Sequence, residues 1–275
     1  MYLDYWQLTA KPFEPGGADD AFYYPSEAHE GALSKLLYAV RQGRAAAAMA
    51  GPSGVGKTLL VNRLATLLAP DGVRLVHAVF PEMSSRDLLA YLAERLAAPD
   101  VSASPTGSIE ESVRRLEALA EANAETGQRQ LVVIDEAHLL EDCGALETLR
   151  LVTNFRSGAA AAFTLLLVGQ MGLLSAVARK PTLDERLDVK TLLRGFTAEE
   201  TAAYVRHRLA AAGAARDVFS DPALQQLHVL TGGYARRIDR LADLALVVGF
   251  AERRSQVGPG ELDAVHRELV AVGTP

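Results

Sequence analysis

The chain has a single cysteine, Cys143, so it cannot form a disulfide bond with itself, which agrees with a reducing compartment. We therefore expect a cytoplasmic protein. Cys143 stands in the segment EDCG without an evident histidine partner, so we interpret it as a small filler residue and not as a nucleophile. The six histidines show none of the spacings typical of a zinc site, and we expect no zinc.

Long apolar runs and a net positive charge are also missing. The opening residues, MYLDYWQLTAKPF, contain no basic stretch followed by an apolar run, so we expect no secretory signal peptide. The apolar run at 244–251 is far shorter than the roughly 20 residues that cross a bilayer, and we expect no integral membrane segment. The net charge of −6 excludes a global basic field for nucleic acid but leaves room for a local basic strip in an oligomer.

The clearest feature that is present is the octet GPSGVGKT at 51–58, which fits the phosphate-binding pattern G-x-x-x-x-G-K-[ST]. Its glycines let the backbone curl and direct N–H groups at phosphate oxygens. Lys57 offers a charge for the β- and γ-phosphates, and the Thr58 hydroxyl can bind Mg²⁺. We expect ATP and Mg²⁺ as cofactors, with the nucleotide held by Gly51, Pro52, Ser53, Gly54, Val55, Gly56, Lys57, Thr58 and Leu59.

The segment LVVIDEAHLL at 131–140 predicts a second nucleotide element about 80 residues later. An apolar strand ends in two carboxylates, at the sheet edge that faces the ligand crevice in an open α/β fold. We predict that Asp135 holds Mg²⁺, directly or through water. Glu136 is predicted to be the general base that polarises the attacking water.

Apolar segments alternate with helical ones up to about residue 194 and then give way to helices alone. Strands are predicted at 45–50, 73–80, 130–136, 162–169 and 187–192, and intervening helices at 58–69, 84–97, 108–124 and 144–156. Later helices are predicted at 197–212, 221–231, 234–254 and 260–271, with a capping box from Thr197 to Glu200. We expect an extended N-terminal segment (1–28), an α/β nucleotide-binding domain (29–194) and a helical lid domain (195–275).

The order of these motifs, with LRLVTNF at 149–155, LLLVGQ at 165–170, ERL at 185–187 and TGGYARRIDRL at 231–241, resembles AAA+ ATPases. The opening YLDYWQLTAKPFEP and the segment FYYPSEAHEGALSKLLYAV resemble the ExeA type of the general secretion pathway, which is related to Mu transposition protein B-type ATPases. The resemblance covers nearly all of the chain. It implies a P-loop NTPase fold, with a parallel five-stranded sheet, helices on both faces and a small all-helical lid.

The resemblance also implies roles for individual residues. Gln170 matches sensor 1, which positions the water or the γ-phosphate. Arg186 matches the arginine finger that reaches a neighbouring subunit, with Arg179 as its competitor. Arg236 matches the sensor 2 arginine, although Ala235 replaces the family's usual proline and leaves Arg237 open as the functional residue.

These observations lead us to expect a homo-oligomeric ATPase, a ring or a filament, that remodels or recruits a partner. Full ExeA-type proteins carry a transmembrane segment and a peptidoglycan-binding domain after the ATPase, so we expect an AAA+ module that acts alone or through partners. One alternative is an ATP-dependent regulator of transposition that binds duplex DNA. A second alternative is a nucleotide-gated scaffold with little turnover, against which Glu136 argues.

Overall fold

A computed structural model of the chain describes residues 1–14, 20–79, 83–96, 108–141, 144–157 and 160–273, so Cys143 lies outside the described residues. The chain divides into two compact units. The sheet unit comprises Ala28–Pro52 and Lys57–Leu193. The helical unit comprises Met1–Glu27, Ser53–Gly56 and Arg194–Pro275, and so takes in four residues of the predicted phosphate loop.

The strands and helices follow one another in an α/β order and then as helices alone. The strands are β1 (Ala46–Ala50), β2 (Arg74–Ala78), β3 (Gln130–Ile134), β4 (Arg156–Ser157), β5 (Ala160–Ala161), β6 (Phe163–Gly169) and β7 (Leu187–Leu192). The helices are α1 (Tyr2–Trp6), α2 (Glu27–Arg41), α3 (Lys57–Leu68), α4 (Ser85–Leu96), α5 (Ile109–Thr126), α6 (Ala145–Val152), α7 (Gly172–Ala178), α8 (Pro181–Asp184), α9 (Ala198–Ala211), α10 (Asp221–Thr231), α11 (Ala235–Ala251) and α12 (Pro259–Gly273).

The five predicted strands form one parallel sheet in the order β2-β3-β6-β1-β7, which confirms the predicted fold class. Every residue of β1, β3 and β6 is buried, as expected for central strands that are covered on both faces. The outer strands β2 and β7 mix buried and exposed residues, because each has a neighbour on one side only. Strands β4 and β5 are a separate antiparallel pair that the sequence patterns did not predict.

Helices of the sheet unit pack apolar residues against the sheet. Leu92 of α4, Leu116 of α5 and Leu149 of α6 are fully buried in one core with alternate residues of the strands. Helix α6 ends at Val152, earlier than the predicted 156, because the Thr153 hydroxyl donates to the Arg150 carbonyl at 2.6 Å and pairing in β4 follows. The short helices α7 and α8 were not predicted.

The four later helices of the helical unit are confirmed, and two of their caps follow the sequence closely. Thr197 and Glu200 form the predicted capping box at the start of α9. The Ser220 hydroxyl accepts from the Ala223 N–H at 3.3 Å and caps α10. In the parts of the chain that the structure describes, no helix is both long and apolar enough to span a membrane.

Two short helical pieces, helix α1 and a 3-10 turn at Asp20–Phe22, interrupt the segment 1–28 that was predicted to be extended. The helical turn of α1 lets Trp6 bury its ring completely in the core of the helical unit. Its indole Nε1 donates to the Leu246 carbonyl at 2.9 Å. The neighbouring Tyr5 hydroxyl donates to the Arg254 carbonyl at 2.8 Å. Burial of a large aromatic side chain and two hydrogen bonds therefore offset the entropy of ordering this segment.

Candidate nucleotide site

The octet at 51–58 is the loop between β1, which ends at Ala50, and α3, which begins at Lys57. Gly54 and Gly56 have φ angles of 81° and 101°, a region that residues with side chains rarely adopt. Because α3 begins at Lys57, the N–H groups of its first turn have no partners within the helix. They lie where the helix dipole favours an anion. The local backbone therefore fits a phosphate group.

Lys57 is held at the start of this loop. Its side chain is nine-tenths buried, with 8% of the residue exposed. The ammonium Nζ donates to the carbonyl oxygens of Gly51 at 2.9 Å and Pro52 at 3.0 Å. A cation in this position neutralises charge on phosphates that the loop holds.

The strand order brings three further predicted residues to the edge of the sheet where this loop begins. Strand β6 lies between β1 and β3, and its last residue, Gly169, pairs with Ala50 and accepts from the Gly51 N–H at 3.2 Å. Gln170 follows β6 directly. Asp135 and Glu136 follow β3 at the same carboxyl edge. The structure thus groups the P-loop, the two carboxylates and Gln170.

Asp135 is buried, with 7% of its surface exposed, and is held charged. Its Oδ1 accepts from the Glu136 N–H at 2.9 Å, and its Oδ2 lies 3.4 Å from His77 Nε2 without the alignment of a hydrogen bond. Burial raises the pKa of Asp135, but His77, the Glu136 N–H and the charge of Lys57 together outweigh burial and hold the pKa below its usual value. A carboxylate that stays ionised when buried suits a hard cation such as Mg²⁺.

Glu136 adopts the left-handed conformation, with φ 50° and ψ 33°, and begins the 3-10 turn Ala137–Leu140. This conformation is unfavourable for a residue with a side chain, and such outliers collect at functional sites. Its side chain is 44% exposed. The buried oxygen Oε2 has no hydrogen-bond partner among the described residues and lies 3.3 Å from His138 Nδ1. Glu136 therefore presents a carboxylate with unused acceptor capacity.

Two histidines beside the carboxylates had no role in the sequence analysis. His77 is on β2, which is the neighbour of β3, and no local pattern encodes that adjacency. His138 lies two residues after Glu136 in the same 3-10 turn, so its nearness to the carboxylate is visible in the sequence itself.

The two candidate arginine fingers differ in their partners and place. Arg186 comes just before β7, whose first residue pairs with Ala46 at the start of β1. Arg186 therefore lies at the amino edge of the sheet, about 16 Å from Gly51 at roughly 3.3 Å per strand residue. Its Nη2 donates to Asn154 Oδ1 at 3.0 Å, a neutral partner. Arg179 is instead neutralised by Glu141, whose Oε1 lies 2.9 Å from its Nε.

The two candidate sensor 2 arginines, Arg236 and Arg237, also differ in their contacts. Within the helical unit, the Arg236 N–H donates to the Gly54 carbonyl at 3.1 Å. A Cβ atom at Gly54 would lie 3.0 Å from the Arg236 Cβ, so the start of α11 packs directly on the loop glycine. The Arg237 guanidinium instead lies over the Tyr234 ring, 4.9 Å from its centroid. The backbone of Arg236 therefore contacts the phosphate loop, while the Arg237 side chain packs on Tyr234.

A parallel sheet with a P-loop and paired carboxylates at its carboxyl edge defines a nucleotide-binding class of protein. Residues 40–177, about half of the chain, match the family model described as AAA domain. The chain belongs to this AAA family.

Relatives agree with this assignment and with the resemblance to the ExeA type. General secretion pathway protein A of Aeromonas hydrophila is 31% identical over an alignment of 276 positions, which covers 99% of this chain and 49% of that protein. The chain therefore spans about half the length of this curated relative.

Two solved structures share the fold. Aeropyrum pernix ORC2, in ADPNP-ADP complexes, is 18% identical with a TM-score of 0.67, over 94% of this chain and 71% of that chain. Drosophila ORC bound to DNA is 14% identical with a TM-score of 0.73, over 97% of this chain and 66% of that chain. At these identities the likeness concerns the fold alone.

Proposed function

We propose that this protein is an ATPase that binds ATP with Mg²⁺ and hydrolyses it to remodel or recruit a partner. The observation that carries the proposal is the convergence of three loops at the carboxyl edge of β1, β6 and β3. These loops carry Lys57, Gln170 and the pair Asp135 and Glu136. The family assignment and the ADPNP-ADP complexes of ORC2 support it.

Residues 51–59 would hold the phosphates through backbone N–H groups and Lys57. Thr58 and Asp135 would hold Mg²⁺, and the ionised state of Asp135 fits this role. The ion supplies positive charge to the phosphate oxygens when bound. Arg236 would be the sensor 2 arginine, which its contact with Gly54, a loop residue of the same unit, supports.

Glu136 would accept a proton from the attacking water. Its unused acceptor oxygen and its constrained backbone suit a general base that is fixed before the reaction. Gln170, exposed at the end of β6, would orient that water or the γ-phosphate. Both roles depend on the carboxyl edge, where the strand register brings the two residues to the phosphate loop.

Arg186 would act on the nucleotide of a neighbouring copy. It lies at the amino edge of its own sheet, too far from its own phosphate loop for a side chain to span. Its hydrogen bond to neutral Asn154 leaves its charge uncompensated by that partner. A finger that cannot reach its own site requires an assembly, and we therefore propose a homo-oligomer.

Two substitutions test binding and chemistry separately. Lys57→Ala should weaken ATP binding sharply in calorimetry, because it removes the charge opposite the β- and γ-phosphates. Glu136→Gln should bind ATP normally and lose about 10²–10⁴-fold in turnover, the contribution of a general base. Glu147→Gln, on the exposed ion pair with Arg150, is the matched control and should turn over normally.

The outcomes separate the candidate functions. Unchanged ATP affinity in Lys57→Ala would contradict the phosphate-loop assignment. Wild-type turnover in Glu136→Gln would exclude Glu136 as the base. A wild-type protein that binds ATP and scarcely hydrolyses it would be the nucleotide-gated scaffold instead.

Duplex DNA is a second candidate partner, supported by the shared fold with an ORC structure bound to DNA. The net charge of −6 means that any such binding needs a local basic surface. A DNA-binding regulator should shift duplex DNA with ATP and not with ADP, and the affinity should fall steeply with salt. No shift at low salt with ATP would leave a protein partner as the proposal.

A further inference from the structure

One nitrogen atom of His138 stands between the proposed base and the proposed sensor. His138 Nδ1 lies 3.3 Å from Glu136 Oε2. The same atom is the acceptor for the backbone N–H of Gln170, at 3.4 Å. All three residues belong to the sheet unit.

A single imidazole nitrogen cannot serve both neighbours at once. With a proton, Nδ1 donates to the Glu136 carboxylate; without a proton on that atom, it accepts from the Gln170 N–H. The two contacts are long, and Glu136 Oε2 has no hydrogen-bond partner elsewhere in the described ranges. The Glu136 carboxylate and the Gln170 N–H therefore compete for a hydrogen bond with Nδ1.

The backbone keeps these groups close enough for the exchange to need little movement. A Cβ atom at Gly169 would lie 3.3 Å from the His138 backbone nitrogen, so the end of β6 and the 3-10 turn are in near contact. The Gly169 carbonyl also accepts from the Gly51 N–H of the phosphate loop. A small shift at the end of β6 would thus move the hydrogen bond to the phosphate loop and also the Gln170 N–H that faces Nδ1.

We infer that His138 is a positioning residue that holds the Glu136 carboxylate and links its position to Gln170. When Nδ1 bonds Glu136, the carboxylate is held against the turn. When Nδ1 bonds the Gln170 N–H, the carboxylate is released toward water while the end of β6 is fixed. This inference rests on the proposed function, because it acts through Glu136 as the base.

Two substitutions of His138 distinguish the role of its Nδ1 atom from the role of the size of its ring. His138→Asn keeps a polar atom near the place of Nδ1, and an amide can donate or accept. His138→Phe keeps a ring and removes both nitrogens. We expect the Phe variant to lose about 10- to 100-fold in kcat with KM for ATP unchanged, less than the roughly 10²–10⁴-fold that a base contributes. The Asn variant should retain most of the activity.

The matched control is His266→Phe, the same substitution at a half-buried position of α12 in the helical unit. It should leave both kinetic constants unchanged. Thermal melting and ATP binding of every variant show whether each is folded. If His138→Phe does not fold, His138→Gln replaces it. Gln carries its polar atoms one bond further out than Asn, so the Asn variant should have the higher ATPase activity. Equal activity of the Asn and Gln variants overturns the inference.

A second background tests whether His138 acts through Glu136. In single-turnover measurements, His138→Phe should cost little further when Glu136 is already Gln, because residues that act as a unit are not additive. The same fold loss in both backgrounds overturns the inference, as does a wild-type kcat in His138→Phe. A wild-type protein without turnover, or one indifferent to Glu136→Gln, refutes the proposed function instead, and that result needs no His138 variant.

Discussion

The sheet unit and the helical unit differ in how they satisfy their buried polar groups. In the described parts of the sheet unit, five buried polar atoms have no hydrogen-bond partner, and two of them, Glu136 Oε2 and His77 Nε2, lie at the carboxyl edge; the others are Arg44 Nε, Asn123 Nδ2 and Gln130 Oε1. In the helical unit, the Tyr204 hydroxyl donates to Asp239 at 2.6 Å, and Arg208 donates to the carbonyls of Pro12 and Glu14. Only His207 Nε2 is an exception among the described residues of that unit.

Backbone strain follows the same division. The positive φ angles of Gln7 and Arg253 occur where α1 and α11 end, a common place for the left-handed conformation. Glu136 adopts it directly after a strand, at the candidate site. Unused polar capacity and strain are costs that a binding or catalytic site retains. We therefore expect substitutions at the sheet to change activity and substitutions in the helical network to change stability.

The largest expected effect tests whether Arg186 belongs to the chemistry, although it lies far from its own phosphate loop. Arg186→Ala should bind ATP normally and lose about 10³–10⁵-fold in turnover, the range for an arginine that stabilises charge on a transferring phosphoryl group. Mixing it with Lys57→Ala subunits should restore part of the activity. In the mixed interface, an intact loop from one variant meets an intact Arg186 from the other.

ATPase activity across mixing ratios decides this prediction. Activity that only declines with dilution would mean that Arg186 does not act between subunits. Arg179→Ala is the control, because Arg179 is paired with Glu141, and it should turn over normally. A loss in Arg179→Ala that mixing rescues would transfer the role to Arg179.

Features that short segments encode were predictable from the sequence. The octet at 51–58, the pair Asp135 and Glu136, and the capping box at Thr197 depend on neighbours along the chain. The five strands were predictable for the same reason, since each is a continuous apolar run.

Features that depend on which elements become neighbours were not predictable from local patterns, and the role of Gln170 was assigned through the family resemblance alone. The sequence contains no local sign that β6 lies between β1 and β3, yet this order brings Gln170 to the P-loop and its N–H to His138. The partner of Arg186, Asn154, lies 32 residues earlier in the chain. Helix α1 was missed because its stability depends on the burial of Trp6 by helices some 240 residues away.

A second prediction concerns the helical unit, where Asp239 should make the stability of the protein depend on pH. Burial raises the pKa of Asp239 to about 6, although the Tyr204 hydroxyl and Arg208 oppose the shift and Asp243 adds to it. Because the folded pKa exceeds the unfolded one, the folded state favours the protonated form. The stabilisation is full below the unfolded value of 3.8 and is lost as pH rises through about 6.

Asp239→Asn cannot ionise and isolates this effect. Relative to that variant, the wild type should become less stable by on the order of 2–3 kcal/mol between about pH 4 and pH 7, at about 1.4 kcal/mol per pKa unit. Urea unfolding of both proteins at several pH values measures the difference. A difference that is constant with pH, or that grows in favour of the wild type, would contradict the assignment. ATP turnover should be similar in both proteins at neutral pH.

The smallest expected effect compares one substitution in both units. Gly249 is inside α11, where glycine costs roughly 1 kcal/mol relative to alanine. Its presence is explained by Trp6, because a Cβ atom at Gly249 would lie 2.9 Å from the Trp6 ring. Gly249→Ala should therefore destabilise the protein, since the ring is fixed by its hydrogen bond to the Leu246 carbonyl.

Gly31, inside α2, has nothing within 4 Å of such an atom. Gly31→Ala should stabilise by about 0.5–1 kcal/mol, because alanine is the better helix former. Thermal and urea unfolding of the two variants measure both signs. Equal stabilisation by both would show that the Trp6 ring gives way, and that the core of the helical unit is less tightly fixed than its paired polar groups indicate.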